Sequence, residues 1–169
     1  MLAKIKQKLT YSPKLHRLLC RYLPVRPVAF TCNACGRQIR WPMDSPRHAS
    51  ALFDREQVIG GGFRKREQCP YCMSNDRLRF LLAVLEKRTS IFDKPCSVLE
   101  FAPIRGFELY LNKRNPRAEY LSGDIDPTRA MRRLDLLAID LPDASYDFVI
   151  CCHIMEHIAD EQKAVSEML

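Results

Sequence analysis

The chain has 169 residues, 47% hydrophobic and 28% charged, which is enough apolar material for a buried core and about one domain with an appendage. No apolar run approaches the ~18 residues that span a bilayer, and the opening "MLAKIKQKL" is too charged for a signal-peptide core. Neither a membrane span nor a secreted disulfide scaffold is therefore expected; the expectation is a cytoplasmic protein with reduced thiols.

The net charge of +7 is unevenly spread: residues 1–94 hold 19 Lys and Arg against 7 Asp and Glu, a balance of +12, whereas residues 95–169 hold 8 against 13, a balance of −5. Such asymmetry points to two functional parts. A basic half suits an anionic partner, whether nucleic acid, lipid headgroups or a phosphorylated substrate, or is simply a solvated basic surface.

In chain order, Leu2, Ile5 and Leu9 recur at helical spacing among lysines. Ser12 and Pro13 then open a second helix whose stripe is Leu15, Leu18, Leu19 and Tyr22, ending at Pro24. A basic amphipathic segment of this kind docks on its own protein or lies weakly on a membrane surface. Residues 24–73 are irregular and include the turn "IGGGF" at 59–63. From Ser74, "SNDRLRFLLAVLEKR" predicts a helix with Leu78, Leu81, Leu82 and Leu85 on its apolar face. After residue 95 strands and helices alternate. "CSVLEF" is a buried strand, "GFELYLNKR" a helix, "AEYLSGDID" a strand, "PTRAMRRLD" a connection, "YDFVICCHI" an apolar strand, and "ADEQKAVSEML" a helix capped by Asp160. This rhythm predicts an α/β fold with a doubly wound parallel sheet. The domain reading is 1–24 basic helices, 25–94 a cysteine-bearing module with a linker helix, and 95–169 the α/β part.

Four of the eight cysteines form two CxxC pairs, Cys32/Cys35 and Cys69/Cys72. A CxxC turn places two thiolates on one side of a metal, and two such turns complete the tetrahedron zinc prefers. The 33 residues between the pairs exceed the usual ~15–20, which a loop between knuckles accommodates. Gly36 follows the first pair, where a positive φ is often needed; Met73 holds the matching place in the second. Four thiolates leave no open position, so the metal is read as structural. A redox dithiol would sit at a strand–helix junction, and neither pair does. Cys20, Cys96, Cys151 and Cys152 read as small core residues.

"SVLEFAPIRGFELYL" joins a strand to a helix through a loop with a single glycine, Gly106, and "YLSGDIDP" ends the next strand on Asp124, followed by Asp126. In parallel α/β proteins such a loop approaches a nucleotide-like cofactor and such an acid accepts from ribose hydroxyls. On these residues the region from 97 to the end resembles the front half of a class I S-adenosylmethionine-dependent methyltransferase, of the type 11-like kind. "VLEFAPIRG" resembles the first motif, usually VLDxGxGxG. "YLSGDID" resembles the second strand. "LDLLAIDLPDASYDFVICCHIMEHIADEQKAVSEML" resembles the stretch with the adenine-side acid and fourth strand. A subgroup of the family carries a "CPxCxSxxRxR" knuckle, matched by "CPYCMSNDRLR".

The resemblance implies a Rossmann-like sheet and S-adenosylmethionine as cofactor. It implies Glu100 at the methionine amino group through water, the backbone of Phe101, Ala102, Pro103 and Gly106 along the methionine part, Asp124 at the ribose, and Asp135 with Leu136 at the adenine. His153 would face the methyl-transfer site and is the weak catalytic candidate; a structural cluster with Glu156 and His157 is its alternative. Ala102 and Ile104 replace the first two glycines of the motif, so the loop geometry must differ from the common one. The family's sheet has more strands than this chain supplies, so the chain reads as C-terminally truncated and inactive alone. The implied acceptor is a sugar or other small metabolite. The rival is a non-catalytic zinc-ribbon protein gripping nucleic acid with its basic half.

Overall fold

The computed structural model describes residues 18, 28, 30–44, 55–56, 66–104 and 106–169. The helices expected over 2–9 and 13–22, Cys20 and the glycine turn at 59–63 lie outside them, except for Leu18, whose backbone is helical. The chain divides into two units, Met1–Ala83 and Val84–Leu169.

In the first unit, β1 (Phe30–Thr31) pairs antiparallel with β2 (Gln38–Ile39), Phe30 opposite Ile39. The turn between them is the first CxxC knuckle. Met43 and Gln68 exchange backbone hydrogen bonds of 2.9 Å, which brings the second knuckle to the chain that leaves β2. Among the described residues Cys32, Ile39 and Cys69 form a core cluster here, with Phe30, Ala34 and Tyr71 packed against them. Helix α1 (Asp76–Arg88) follows, and the division between the units falls within it. Asn75 caps it, its Oδ1 accepting the Leu78 N–H at 2.9 Å. Asp76 in the first turn and Lys87 and Arg88 in the last complement its dipole. Of the expected apolar stripe, Leu78 and Leu82 are fully buried and Leu81 and Leu85 half-buried.

The second unit is a parallel sheet of β3 (Ser97–Phe101), β4 (Glu119–Asp124), β5 (Arg132–Arg133) and β6 (Phe148–Cys151), in the order β5-β4-β3-β6. β3 is central, and four of its five residues are buried, as expected of a strand covered on both faces. β5 lies inside "PTRAMRRLD", read above as a connection. Two arginines carry no strand signal, and Arg132 and Arg133 become a strand only by pairing with Gly123 and Asp124. Helix α2 (Phe107–Arg114) links β3 to β4, and α3 (Glu161–Met168) follows β6. Asp160 caps α3 as expected, accepting the Lys163 N–H at 2.9 Å. Asp147 fixes the start of β6 to the start of β3, its Oδ2 accepting the Ser97 N–H and hydroxyl at 2.8 and 2.9 Å. Those two bonds, the backbone one first, hold the Asp147 carboxyl below its ordinary pKa. Leu99, Phe101, Leu134, Leu136 and Ala164 form the core under the sheet.

Candidate metal centre and cofactor cleft

Each knuckle is a tight backbone turn. The Gly36 N–H donates to the Cys32 carbonyl at 2.7 Å, and the Met73 N–H donates to the Cys69 carbonyl at 2.9 Å. Gly36 takes φ 75° and Met73 φ 62°. Met73 therefore adopts the left-handed backbone that glycine adopts more easily, which shows that knuckle geometry overrides residue preference there. The turns bring all four sulfurs within 4.8 Å of one another. Cys32 and Cys72 Sγ are 3.8 Å apart, Cys35 and Cys69 Sγ 3.7 Å. A disulfide would need about 2.05 Å. A tetrahedron of thiolates at about 2.3 Å from zinc has edges of about 3.8 Å, so the set fits a four-coordinate zinc with no open position.

The Cys32, Cys35 and Cys69 thiols cannot ionise equally. Hydrogen bonds from Cys69 and then Cys72 hold Cys32 far below its ordinary pKa, and the bond to Cys32 drives Cys69 far above. Burial pushes Cys35 up to about 11.

Ser74, 2% exposed, sits 3.2 Å from both Cys32 and Cys72 Sγ. Arg79 clamps α1 to the knuckle: Nη1 donates to the Ser74 carbonyl and Nη2 to the Glu67 carbonyl, both at 2.7 Å, and its guanidinium stacks 4.9 Å from the Phe30 ring. The serine and last arginine of "CPYCMSNDRLR" thus support the centre.

In the second unit, β3, β4 and β5 step outward in one direction and β6 returns to the other side of β3. Parallel sheets open a crevice at such a reversal, beyond the carboxyl ends of the strands. Phe101 of β3 lies opposite Gly123 of β4 and Cys151 of β6, so the next residues, Ala102, Asp124 and Cys152, share that edge.

The loop from Ala102 to Gly106 differs from a glycine-rich one. Ala102 takes φ 47° and Gly106, at the start of α2, φ 98°, whereas Ile104 is not in the left-handed region. The small residue thus occupies the demanding backbone position. The Ala102 N–H donates to the Gly123 carbonyl at 2.9 Å. Glu100 is 0% exposed; Oε1 accepts the Ile104 N–H at 2.9 Å and Oε2 accepts the Tyr120 hydroxyl. Burial pushes its pKa up, against the lowering by those two bonds.

Asp124, 7% exposed, ends β4. Its Oδ1 accepts the Asp126 N–H at 2.9 Å, while Oδ2 has Arg129 Nε at 3.9 Å, beyond hydrogen-bond range. A nearly buried carboxylate oxygen with spare acceptor capacity at this edge suits a hydroxyl donor. Asp135 is exposed, and its Oδ1 accepts the Leu137 N–H at 2.9 Å. The Leu136 side chain belongs to the core, leaving its backbone for any ligand. His153, just past β6, takes φ 58°, is about half exposed, and holds Glu156 Oε1 3.4 Å from its Nδ1.

A cavity of about 420 Å³ lies elsewhere, lined by Leu99, Leu141, Tyr146, Val149 and Met168 among others; none of Glu100, Asp124 and Asp135 lines it. Sequence reasoning passed over Tyr120, and also Asn115, whose amide donates to the Ile91 and Lys94 carbonyls at 2.8 and 2.6 Å. A tyrosine in a strand and an asparagine after a helix carry no local signal of such roles.

Residues 108–169 match a protein-family model described as "Methyltransferase domain". The match starts inside α2, downstream of β3 and its loop. Comparison with the curated proteins and with the solved structures finds no match. Among the described residues no helix is long and apolar enough to cross a membrane.

Proposed function

We propose that this chain, whose second unit is of the class I S-adenosylmethionine-dependent methyltransferase kind, serves methyl transfer from S-adenosylmethionine to a sugar or other small-molecule acceptor, with a structural zinc in its first unit. The observation that carries the reading is Asp124, a nearly buried acid with a spare oxygen at the carboxyl edge of β4, inside the stretch that matches the methyltransferase domain. Asp124 binds the ribose hydroxyls. Asp135 and the Leu136 backbone meet the adenine. The backbone of Phe101, Ala102, Pro103 and Gly106 lines the methionine end, where Glu100 supplies negative charge. The bound cofactor supplies an electrophilic methyl group, so the residues of the chain need mainly to orient it toward the acceptor and exclude water. His153, oriented by Glu156, stands at the acceptor side. Cys32, Cys35, Cys69 and Cys72 hold zinc and take no part in the chemistry, their coordination being closed.

Calorimetry with S-adenosylmethionine tests this. A carboxylate lost from ribose hydroxyls removes charge-assisted hydrogen bonds, so Asp124→Ala weakens binding by about tenfold to a hundredfold. Asp140→Ala, which removes only an exposed pair with Arg132 at 3.1 Å, leaves it unchanged. Equal affinities for the two variants defeat the assignment.

One arrangement favours a second role. Arg40 stacks 4.6 Å from the ring of Trp41, which is 38% exposed, and Arg37 stacks 4.8 Å from Tyr71. Guanidinium–aromatic pairs at a basic surface suit nucleic acid, and salt-dependent binding of single strands would report it.

A further inference from the structure

The loop that replaces glycines with Ala-Pro-Ile needs something else to shape it, and the contacts around it converge on one side chain of β4. Tyr120 packs its ring against Phe107, the first residue of α2, with centroids 6.3 Å apart. Its hydroxyl donates to Glu100 Oε2, and Glu100 Oε1 holds the Ile104 N–H at 2.9 Å. The Phe107 N–H in turn donates to the Ile104 carbonyl at 3.0 Å. Tyr120 therefore reaches the middle of the loop through Glu100 and its end through Phe107.

We propose that Tyr120 is a positioning residue for the S-adenosylmethionine site, holding the Glu100 carboxylate in the ionised, loop-bracing state. The inference rests on the methyltransferase reading. Its physical basis is that a buried carboxylate stays charged only while its oxygens are hydrogen-bonded. The groups facing Glu100 are Tyr120 from β4, Glu108 from α2 and Cys152 beyond β6. Of these side chains Tyr120 alone favours the charge, beside the Ile104 N–H of the loop; Glu108 repels it, and the Glu100 charge, after burial, raises the Cys152 thiol. Losing the tyrosine hydroxyl raises the pH at which Glu100 takes up a proton. The proton removes the charge that complements a cationic cofactor.

The test compares wild type with Tyr120→Phe, in the 169-residue chain, over a range of pH. The first measurement is S-adenosylmethionine affinity by calorimetry. As pH falls, the affinity of Tyr120→Phe should begin to drop at higher pH than that of wild type, opening a gap of roughly tenfold for each unit by which the two titrations differ. The second is thermal stability without cofactor. An acid with a raised folded pKa stabilises below its unfolded pKa and loses that contribution as pH rises through the folded value. In Tyr120→Phe this loss should therefore extend to higher pH than in wild type. Affinity curves that differ by the same factor at every pH, or superimpose, overturn the proposal, as do superimposable stability profiles. Failure of wild type to bind the cofactor at any pH overturns the methyltransferase reading instead, and the stability profiles still decide whether Tyr120 holds Glu100.

Discussion

Gly123 offers a quantitative test of how the carboxyl edge of β4 is packed. A Cβ added there would lie 2.6 Å from Leu134 Cδ1, 3.1 Å from Cγ and 2.9 Å from Cβ. The Cδ1 methyl can swing away; the Leu134 Cβ moves only if the chain after β5 moves. That chain is tied down, because the Leu134 N–H donates to the Asp124 carbonyl at 3.1 Å and the Leu134 side chain is in the core. Overpacking of this kind costs about 1–3 kcal/mol. Replacing glycine within a strand returns about 0.5–1 kcal/mol by restricting the unfolded chain. Steric cost wins, and Gly123→Ala should destabilise by about 0.5–2 kcal/mol, read as a lower urea midpoint at unchanged slope. Leu134→Ala alone opens a cavity and costs about 2–5 kcal/mol. In the double variant the new methyl enters that space, although the Cβ contact persists. The combined loss should fall short of the sum by about 0.5–2 kcal/mol. Strict additivity would show that Gly123 and Leu134 do not meet as described. Because Gly123 also accepts the Ala102 N–H and precedes Asp124, Gly123→Ala should weaken S-adenosylmethionine binding as well.

The metal centre predicts near one equivalent of zinc per chain by elemental analysis of protein purified without added metal. Zinc bound by four thiolates contributes about 10–16 kcal/mol, as much as the stability of a whole domain, so Cys69→Ser or chelation should unfold the first unit, seen as lost circular dichroism; a metal-free chain that keeps this unit folded refutes the centre. Ser74→Ala, which removes a hydroxyl from two sulfurs, should lower zinc affinity by about tenfold or more in a competition titration, with an unchanged constant as the contrary result. Asp147 has a folded pKa depressed by Ser97, so its stabilisation is present above its unfolded value near 3.8 and lost as pH falls through the folded one. Acid unfolding of Asp147→Asn should accordingly lack part of the wild-type loss in that window, and identical acid transitions would show the bond to be inconsequential.

The cysteine cluster was legible because a CxxC pair is a local device: spacing alone forces two thiols to one side of a turn. That two pairs 33 residues apart meet is inferred from chemistry, and the 3.7–3.8 Å separations depend on contacts between distant residues, among them the Met43–Gln68 bridge and the Asn33 amide bond to the Arg79 carbonyl. The strands β3, β4 and β6 were likewise legible, since buried parallel strands are apolar in themselves, and Asp160 and Asp124 followed from their places at element ends. β5 was not, because Arg132 and Arg133 have no strand preference and pair only where β4 offers an open edge. The absence of two motif glycines announced an altered loop, but not its solution. Ala102 takes the left-handed backbone, and Glu100 and Tyr120 brace the turn from neighbouring strands. By itself, then, the sequence determined the helices and the apolar strands β3, β4 and β6 and which acids end them, because those properties depend on residues close along the chain. Strand order and the partners of Glu100 were decided by tertiary structure, because each depends on residues that only folding brings together.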